Sequence, residues 1–221
     1  MTTTPLAIVA GVGPGVGAAV ARRFARDGFR VALVARDEAR LADLAAQVTN
    51  AGGVAASYSA DLSDHVEIRR VIAAILRDHG RPSVLVWNAA VWAESPVMAL
   101  EADAFDRELR LGLTGAATAM RAVAPAMSAG GGTILATGGG LALVPQYGGA
   151  VPALTAVKSG LRGFVHAAAP EFAAMGIRLA TVTIAGQVAP GGPFDPDRIA
   201  EAFFAAHAAP TAEVETVFSG A

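Results

Sequence analysis

The chain has 221 residues, of which 53% are hydrophobic and 16% charged, and its net charge is −2. This length and apolar content fit one α/β domain with a large core, which we predict to span residues 1–221. The near-neutral charge gives no electrostatic case for binding nucleic acid or an anionic membrane. The absence of cysteine excludes disulfides, thiolate metal sites and cysteine nucleophiles.

The chain start has no basic leader segment, and no uncharged apolar run approaches the ~20 residues of a membrane span. We therefore expect a soluble, cytoplasmic protein. The four histidines are scattered without the spacing of a metal site, so no bound metal is expected.

Short apolar runs alternate with amphipathic segments along the whole chain. We predict strands over residues 7–10, 29–35, 54–59, 84–87, 133–137, 177–184 and 213–218. We predict helices over residues 18–27, 38–50, 64–79 (capped by Ser63 or Asp64), 102–127, 153–175 and 196–207. Pro170 predicts a kink or an early end in the helix that contains it, because proline removes a backbone donor. The alternation indicates a doubly wound parallel sheet of about seven strands, with its ligand crevice at the carboxyl ends of the strands.

A glycine-rich turn, Gly11-Val-Gly13-Pro14-Gly15-Val16-Gly17, separates the first strand from the first helix. Glycine has no Cβ to hold a ligand away from the backbone, and the first amides of a helix lack internal partners and carry partial positive charge. The turn is therefore a candidate pyrophosphate site. No Lys-Ser/Thr pair follows it, so it is not a P-loop, and a turn without a ligand is the alternative.

Polar residues follow the next strand ends. Arg36 stands where an NAD-selective protein usually places a carboxylate, and its guanidinium suits a ribose 2′-phosphate. The alternative is a solvated charge at a helix start, and Asp37 lies beside it. Asp61 could accept from an adenine amino group or cap the following helix. Asn88 could fasten the fourth strand to the ribose region.

In this order and spacing, seven segments resemble the short-chain dehydrogenase/reductase family over nearly the whole chain. They are Gly11-x-x-x-Gly15-x-Gly17, Val31-Ala-Leu-Val-Ala-Arg36-Asp37, Asp61-Leu62, Asn88-Ala89-Ala90, Leu113-Thr114-Gly115, Lys158-Ser-Gly-Leu-Arg-Gly-Phe and Ala185-Gly186. The resemblance implies a nicotinamide dinucleotide, and Arg36 favours NADP(H). It implies cofactor contacts from Gly11, Gly13, Pro14, Gly15, Val16, Gly17, Arg36, Asp61, Leu62, Asn88, Ala89, Ala90, Lys158, Ala185, Gly186 and Val188.

The family's catalytic pattern is incomplete here. The tyrosine position, four residues before Lys158, is Leu154. The asparagine position falls on Gly112, and the serine position falls in the triple glycine 138–140. Leucine has no proton to give, so the family's usual acid is missing. Lys158 and the nearest phenol, Tyr147, are the candidate catalytic residues, although Tyr147 could instead only wall the pocket.

Two more residues, Trp92 and Glu94, are candidates for the pocket edge. The short loop at residues 187–195 predicts an open cleft or a small ligand. Small residues on the helices around residues 102–127 and 153–175 predict a homodimer or homotetramer.

Three functions remain open on this scaffold. The first is an NADP(H)-dependent oxidoreductase with a nonstandard proton donor, acting on a small-molecule substrate. The second is a non-redox enzyme that uses the cofactor as a wall of its pocket. The third is a catalytically silent NADP(H)-binding protein or sensor.

Overall fold

Seven parallel strands form one sheet in the order β3-β2-β1-β4-β5-β6-β7, as the computed structural model of the chain shows. The structure describes residues 4–209 and 213–220, so parts of the predicted domain (residues 1–3, 210–212 and 221) lie outside it. The strands are β1 (Leu6–Ala10), β2 (Arg30–Ala35), β3 (Val54–Ser59), β4 (Val84–Trp87), β5 (Gly132–Gly139), β6 (Ile177–Ile184) and β7 (Glu215–Phe218). The doubly wound parallel sheet predicted from the sequence is confirmed.

Helices cover both faces of the sheet. They are α1 (Val16–Arg26), α2 (Glu38–Asn50), α3 (His65–His79), α4 (Ala102–Leu109), α5 (Gly115–Ser128), α6 (Pro152–Ala174) and α7 (Pro196–Ala208). Along β1, Leu6, Ile8 and Ala10 pack into the core beneath α3, α5 and α6, while Ala7 and Val9 pack beneath α1, α2 and α7. Alternate side chains of one strand therefore serve two cores, which is why the central strands read as continuous apolar runs.

The three main differences from the predictions concern the long middle helix, β5 and the helix that contains Pro170. The helix predicted over residues 102–127 consists of α4, a π-helical turn (Arg110–Thr114) and α5. β5 runs on to Gly139 where a loop was predicted, because its glycines let it pair closely with β6. The early end predicted at Pro170 is wrong, since α6 continues to Ala174; Pro170 itself is exposed, while Ala169 and Phe172 are buried against the sheet.

Within the described residues, none of the helices is both long and apolar enough to cross a membrane. The strand order reverses between β2-β1 and β4, so the loops after β1 and β4 diverge at the carboxyl edge of the sheet. A crevice for a ligand forms at such a point.

Candidate functional site

Gly11 is the residue that brings the end of β1 against the end of β4. Its φ is +89°, and a Cβ there would lie 2.3 Å from the backbone nitrogen of Ala89. Its amide donates to the Val34 carbonyl at 2.9 Å, and its carbonyl accepts from Asn88 Nδ2 at 2.8 Å. Only glycine combines this backbone conformation with so close an approach. Gly11 therefore shapes the turn through packing.

Gly13 and Gly15 have a different environment. A Cβ at either position would meet no heavy atom within 4 Å, so both border open space. Gly15 is the N-cap of α1, where no side chain caps the helix and the first turn has no acidic residue. By contrast, Asp37, Asp64 and Asp195 cap α2, α3 and α7. The first amides of α1 are thus left without a side-chain acceptor, and this end of the helix fits a pyrophosphate.

A cleft of about 240 Å³ lies beside this turn. It is lined by Gly11, Val12, Gly13, Ala35, Arg36, Asp37, Arg40, Ala60, Leu62, Ala89, Ala90 and Leu111. Several predicted cofactor-binding residues thus line one cleft. Ala60 and Leu111 also line it, although neither belongs to a predicted motif.

The charged residues of this cleft differ in their contacts. Asp37 accepts from the Arg40 amide at 3.0 Å through Oδ1, and its Oδ2 lies 3.7 Å from Arg40 Nε. This carboxylate is therefore engaged as the cap of α2, whereas Arg36 is exposed at the cleft. Arg40 is a cleft residue that the sequence analysis missed. The available signal was its place in the first turn of α2, three residues after the N-cap residue Asp37, because the start of that helix borders the cleft.

Asp61 lies next to the cleft, at the end of β3. Its Oδ1 accepts from both the amide and the hydroxyl of Ser63, at 2.9 and 2.8 Å. The pKa of Asp61 is lowered mainly by the Ser63 amide, with Arg36 among the smaller causes. Asp61 is therefore an ionised acceptor at the adenine end of the predicted site, while Asp64 is the residue that caps α3.

A chain of hydrogen bonds connects the glycine turn to α6. Asn88 Nδ2 donates to the Gly11 carbonyl, and the Thr137 hydroxyl donates to Asn88 Oδ1 at 2.9 Å. The Thr137 carbonyl then accepts from Lys158 Nζ at 2.7 Å. These contacts run across β1, β4 and β5, so Asn88 fastens neighbouring strand ends together, while its predicted role at the cofactor ribose stays a prediction. Thr137 was not singled out in the sequence.

Lys158 is the predicted catalytic residue of α6, and its side chain is buried. Burial lowers its pKa to about 8. Among the described residues no carboxylate forms an ion pair with it, and its one hydrogen bond goes to a neutral carbonyl. Gly139 lies against this side chain, since a Cβ there would lie 3.3 Å from Lys158 Cγ. A buried cation with neutral protein partners fits a site for ligand hydroxyl or phosphate oxygens.

The positions of the missing catalytic groups are packed. Leu154 is buried in α6. Gly112 lies in the π-helical turn, and a Cβ there would approach Val157 Cγ1 to 2.3 Å, so Val157 occupies that space. Gly138 is paired with Thr183, whose Oγ1 would lie 2.3 Å from an added Cβ. Neighbouring side chains therefore fill the space beside Gly112 and Gly138.

The structure does not bring Tyr147 together with Lys158. Tyr147 ends a short 3-10 turn (Pro145–Tyr147) and is 76% exposed. Trp92 and Glu94 do lie together after β4, with the indole nitrogen donating to Glu94 Oε1 at 3.4 Å. Both side chains are exposed. Trp92 lines a cavity at the carboxyl ends of β5 and β6, and Glu94 is not among the residues of its lining.

A second cavity, of about 660 Å³, opens at the carboxyl ends of β5 and β6. It is lined by Trp92, Gly140, Leu141, Val144, Ala185, Gly186, Gln187 and Val188. Three predicted residues, Ala185, Gly186 and Val188, are therefore found in this wall and not in the cleft at β2. We refer to the two spaces as the Arg36 cleft and the Val144 pocket.

The loop after β6 is short and folded onto itself. The Phe194 ring lies against Gly186, where a Cβ would come within 2.2 Å of it, and it meets Phe218 edge-on with 5.8 Å between centroids. The Phe194 carbonyl accepts from the Ala189 amide at 3.2 Å. These contacts hold the loop beside the pocket.

Small residues on α5 and α6 are divided between two environments. Gly115, Ala116 and Ala119 are buried within the chain, whereas Gly163 and Ala167 are exposed on α6. Fewer small residues are therefore exposed for contact with a second copy than the sequence indicated. The homodimer or homotetramer stays a prediction.

Comparison with known proteins gives a consistent result. The family model for short chain dehydrogenases matches residues 5–190. A metagenomic short-chain oxidoreductase, solved in complex with NADP, superposes with a TM-score of 0.86 at 31% identity, covering 97% of this chain and 96% of that one. Short-chain dehydrogenase reductase 5 of Arabidopsis thaliana is 31% identical over 180 residues, or 79% of this chain and 67% of the relative.

Other relatives are much longer. The probable oxidoreductase EphD of Mycobacterium tuberculosis strain H37Rv is 33% identical over 117 residues, which are 53% of this chain and 20% of that protein. The chain therefore spans only about a fifth of the length of this curated relative.

Proposed function

Because the chain belongs to the short-chain dehydrogenase family, we propose that it is an oxidoreductase that uses NADP(H). The observation that carries this proposal is the Arg36 cleft, in which Arg36 is exposed while the neighbouring Asp37 is engaged as a helix cap. Among the described residues no carboxylate forms an ion pair with Arg36, and a guanidinium left in this state favours the 2′-phosphate over a free ribose hydroxyl. The similar metagenomic oxidoreductase solved with NADP supports the same choice.

The proposed cofactor contacts follow the carboxyl edge of the sheet. The first amides of α1, with Gly13, Pro14, Gly15 and Val16, hold the pyrophosphate, and Arg36 and Arg40 hold the 2′-phosphate. Asp61 and Leu62 contact the adenine, Asn88, Ala89 and Ala90 border the ribose, and Ala185, Gly186 and Val188 border the nicotinamide. Gly11 and Gly17 have no Cβ, which lets the first turn pack against itself and against Asn88 and Ala89. When bound, the nicotinamide donates or accepts the hydride.

Lys158 holds the ribose hydroxyls in this proposal. Its ammonium is kept in place by the Thr137 carbonyl, which is fixed in turn through the Asn88 contacts. Leu154 cannot donate a proton, so the substrate oxygen exchanges its proton with water in the open Val144 pocket or with Tyr147. The exposure of Tyr147 favours water.

A second candidate is that the chain binds NADP(H) without redox turnover, either as a non-redox enzyme or as a silent sensor. The supporting observation is the packing around Leu154 and Gly112, which leaves no phenol hydrogen-bonded to Lys158 among the described residues.

Turnover of the reduced nicotinamide, followed by its absorbance across carbonyls and alcohols, separates the two candidates. We expect measurable turnover in the native chain, and Lys158→Met is expected to weaken NADPH binding by about 10- to 100-fold, the size of a charged hydrogen bond. If water is the proton source, the turnover rate of Tyr147→Phe is expected to stay within about twofold of the native rate. A fall of about 100-fold in the turnover rate would identify Tyr147 as the proton donor. Tight NADPH binding without turnover would leave only the second candidate.

A further inference from the structure

We infer that the substrate of the Val144 pocket is an uncharged, mainly apolar molecule that carries one neutral polar group, such as a ketone or an alcohol with a hydrocarbon body. This inference rests on the proposed function, because it assigns the substrate class of the same site.

The chemistry of the wall is the first support. Trp92, Leu141, Val144 and Val188 present apolar side chains, and Gly140, Ala185 and Gly186 present backbone or a single methyl. Gln187 is the one polar aliphatic side chain in this lining, and it offers an amide donor and acceptor but no charge. The cavity of about 660 Å³ lies within the ~300–1,000 Å³ range of small-molecule sites.

Exposure of the rim is the second support. Trp92 is 64% exposed, Val144 39% and Val188 40%, although large apolar side chains are usually covered. These three residues come from three different loops and meet at one cavity. Apolar side chains gathered around a concave opening mark a place where an apolar ligand displaces water.

The positions of the nearest charges are the third support. Lys158 is buried and donates to the Thr137 carbonyl, and it is not part of the pocket wall. Glu94 is exposed and accepts from the Trp92 indole. No cation among the lining residues could neutralise a carboxylate or phosphate on the substrate, and burying such a group without a partner is costly.

Binding of three probes to the NADP⁺-saturated chain tests the inference: 2-octanone, 2-butanone and 2-oxooctanoate, titrated by saturation-transfer NMR. We expect 2-octanone to bind at least about tenfold more tightly than either of the others, since its longer hydrocarbon chain buries more apolar surface and the carboxylate of the oxo acid has no partner. Equal affinities for the three probes, or tighter binding of the oxo acid, would overturn the inference.

Val144→Glu adds a carboxylate to the wall and is expected to weaken 2-octanone binding at least about tenfold. Trp92→Glu repeats the test on another loop. The matched control is Val54→Glu, a 51% exposed valine on the β3 edge of the sheet, which is expected to change nothing. Unchanged ketone binding in both pocket variants would contradict the inference.

NADPH affinity, measured separately on each variant, shows that the variant is folded. The probe titrations are repeated without dinucleotide. Failure of the native chain to bind NADP(H) would then contradict the proposed function, while equal binding of ketone and oxo acid would contradict the substrate class.

Discussion

At the scale of single residues, the glycines of the first turn do two different things. Gly11 and Gly17 are packed, and a Cβ on either would come within 2.8 Å of the backbone of the turn or of Ala89. Gly13 and Gly15 border open space. One motif therefore contains residues that the fold requires and residues that keep the ligand surface bare.

Gly13→Ala and Gly11→Ala separate these roles. Gly13 has no positive φ, so its alanine variant is expected to keep the native free energy of unfolding but to lose about tenfold or more in NADPH affinity, because the methyl occupies the ligand's space. Gly11→Ala is expected to lower the free energy of unfolding by about 1–3 kcal/mol. Chemical denaturation and NADPH titration of both variants check this. An equal fall in the free energy of unfolding of both variants would contradict the assignment of separate roles to Gly11 and Gly13.

Motif reasoning at this scale found Gly13, Arg36, Asn88 and Lys158 because each stands at a strand end or in a spaced pattern. It could not find Val157 filling the space beside Gly112, since that contact joins two helices and leaves no local signature. It assigned Val188 to the cofactor without locating it, and the structure shows this residue in the lining of the Val144 pocket.

At the scale of elements, one ion pair fixes the last strand to the helix above it. Arg162 on α6 binds Glu215 on β7 through three contacts of 2.7–3.0 Å, and the Thr183 hydroxyl on β6 donates to the same carboxylate at 2.6 Å. His166 Nε2 lies 3.5 Å from it. Chiefly through the Arg162 hydrogen bonds, the pKa of Glu215 falls from 4.5 to about 2.

Glu215→Gln is expected to lower the free energy of unfolding at pH 7 by about 2 kcal/mol. The folded pKa lies below the unfolded one, so the native carboxylate stabilises the fold above about pH 4.5, and this contribution is lost as the pH falls towards about 2. Urea unfolding at pH 7 and pH 3 should show a smaller difference between variant and native chain at pH 3. The exposed Glu171→Gln on α6 is the control. A difference that does not shrink with acid would contradict the assignment.

Element boundaries were predictable where capping and periodicity agree, as at Asp37 before α2 and Asp64 before α3. They failed where tertiary packing decided the outcome. β5 extends through Gly138 and Gly139 because β6 offers a partner, and α6 passes Pro170 because buried neighbours hold it. Neither cause is visible in a local stretch of sequence.

At the scale of the molecule, the strand order places two different spaces at one edge of the sheet. The Arg36 cleft lies on the β1–β2 side, and the Val144 pocket lies beyond β5 and β6. The Asn88–Thr137–Lys158 contacts run between them. The fold was predictable from the alternation of strands and helices, because that pattern admits few topologies. The shape of the Val144 pocket could not be predicted, because three separate loops form it.

Calorimetric titration of NADPH and NADH into the native chain, Arg36→Ala and the control Arg77→Ala, an arginine 74% exposed, tests the central claim most directly. We predict one NADPH per chain, bound about tenfold or more tightly than NADH, with the preference lost in Arg36→Ala and kept in Arg77→Ala. Absence of heat with both dinucleotides, or NADH binding as tightly as NADPH in the native chain, would contradict the account.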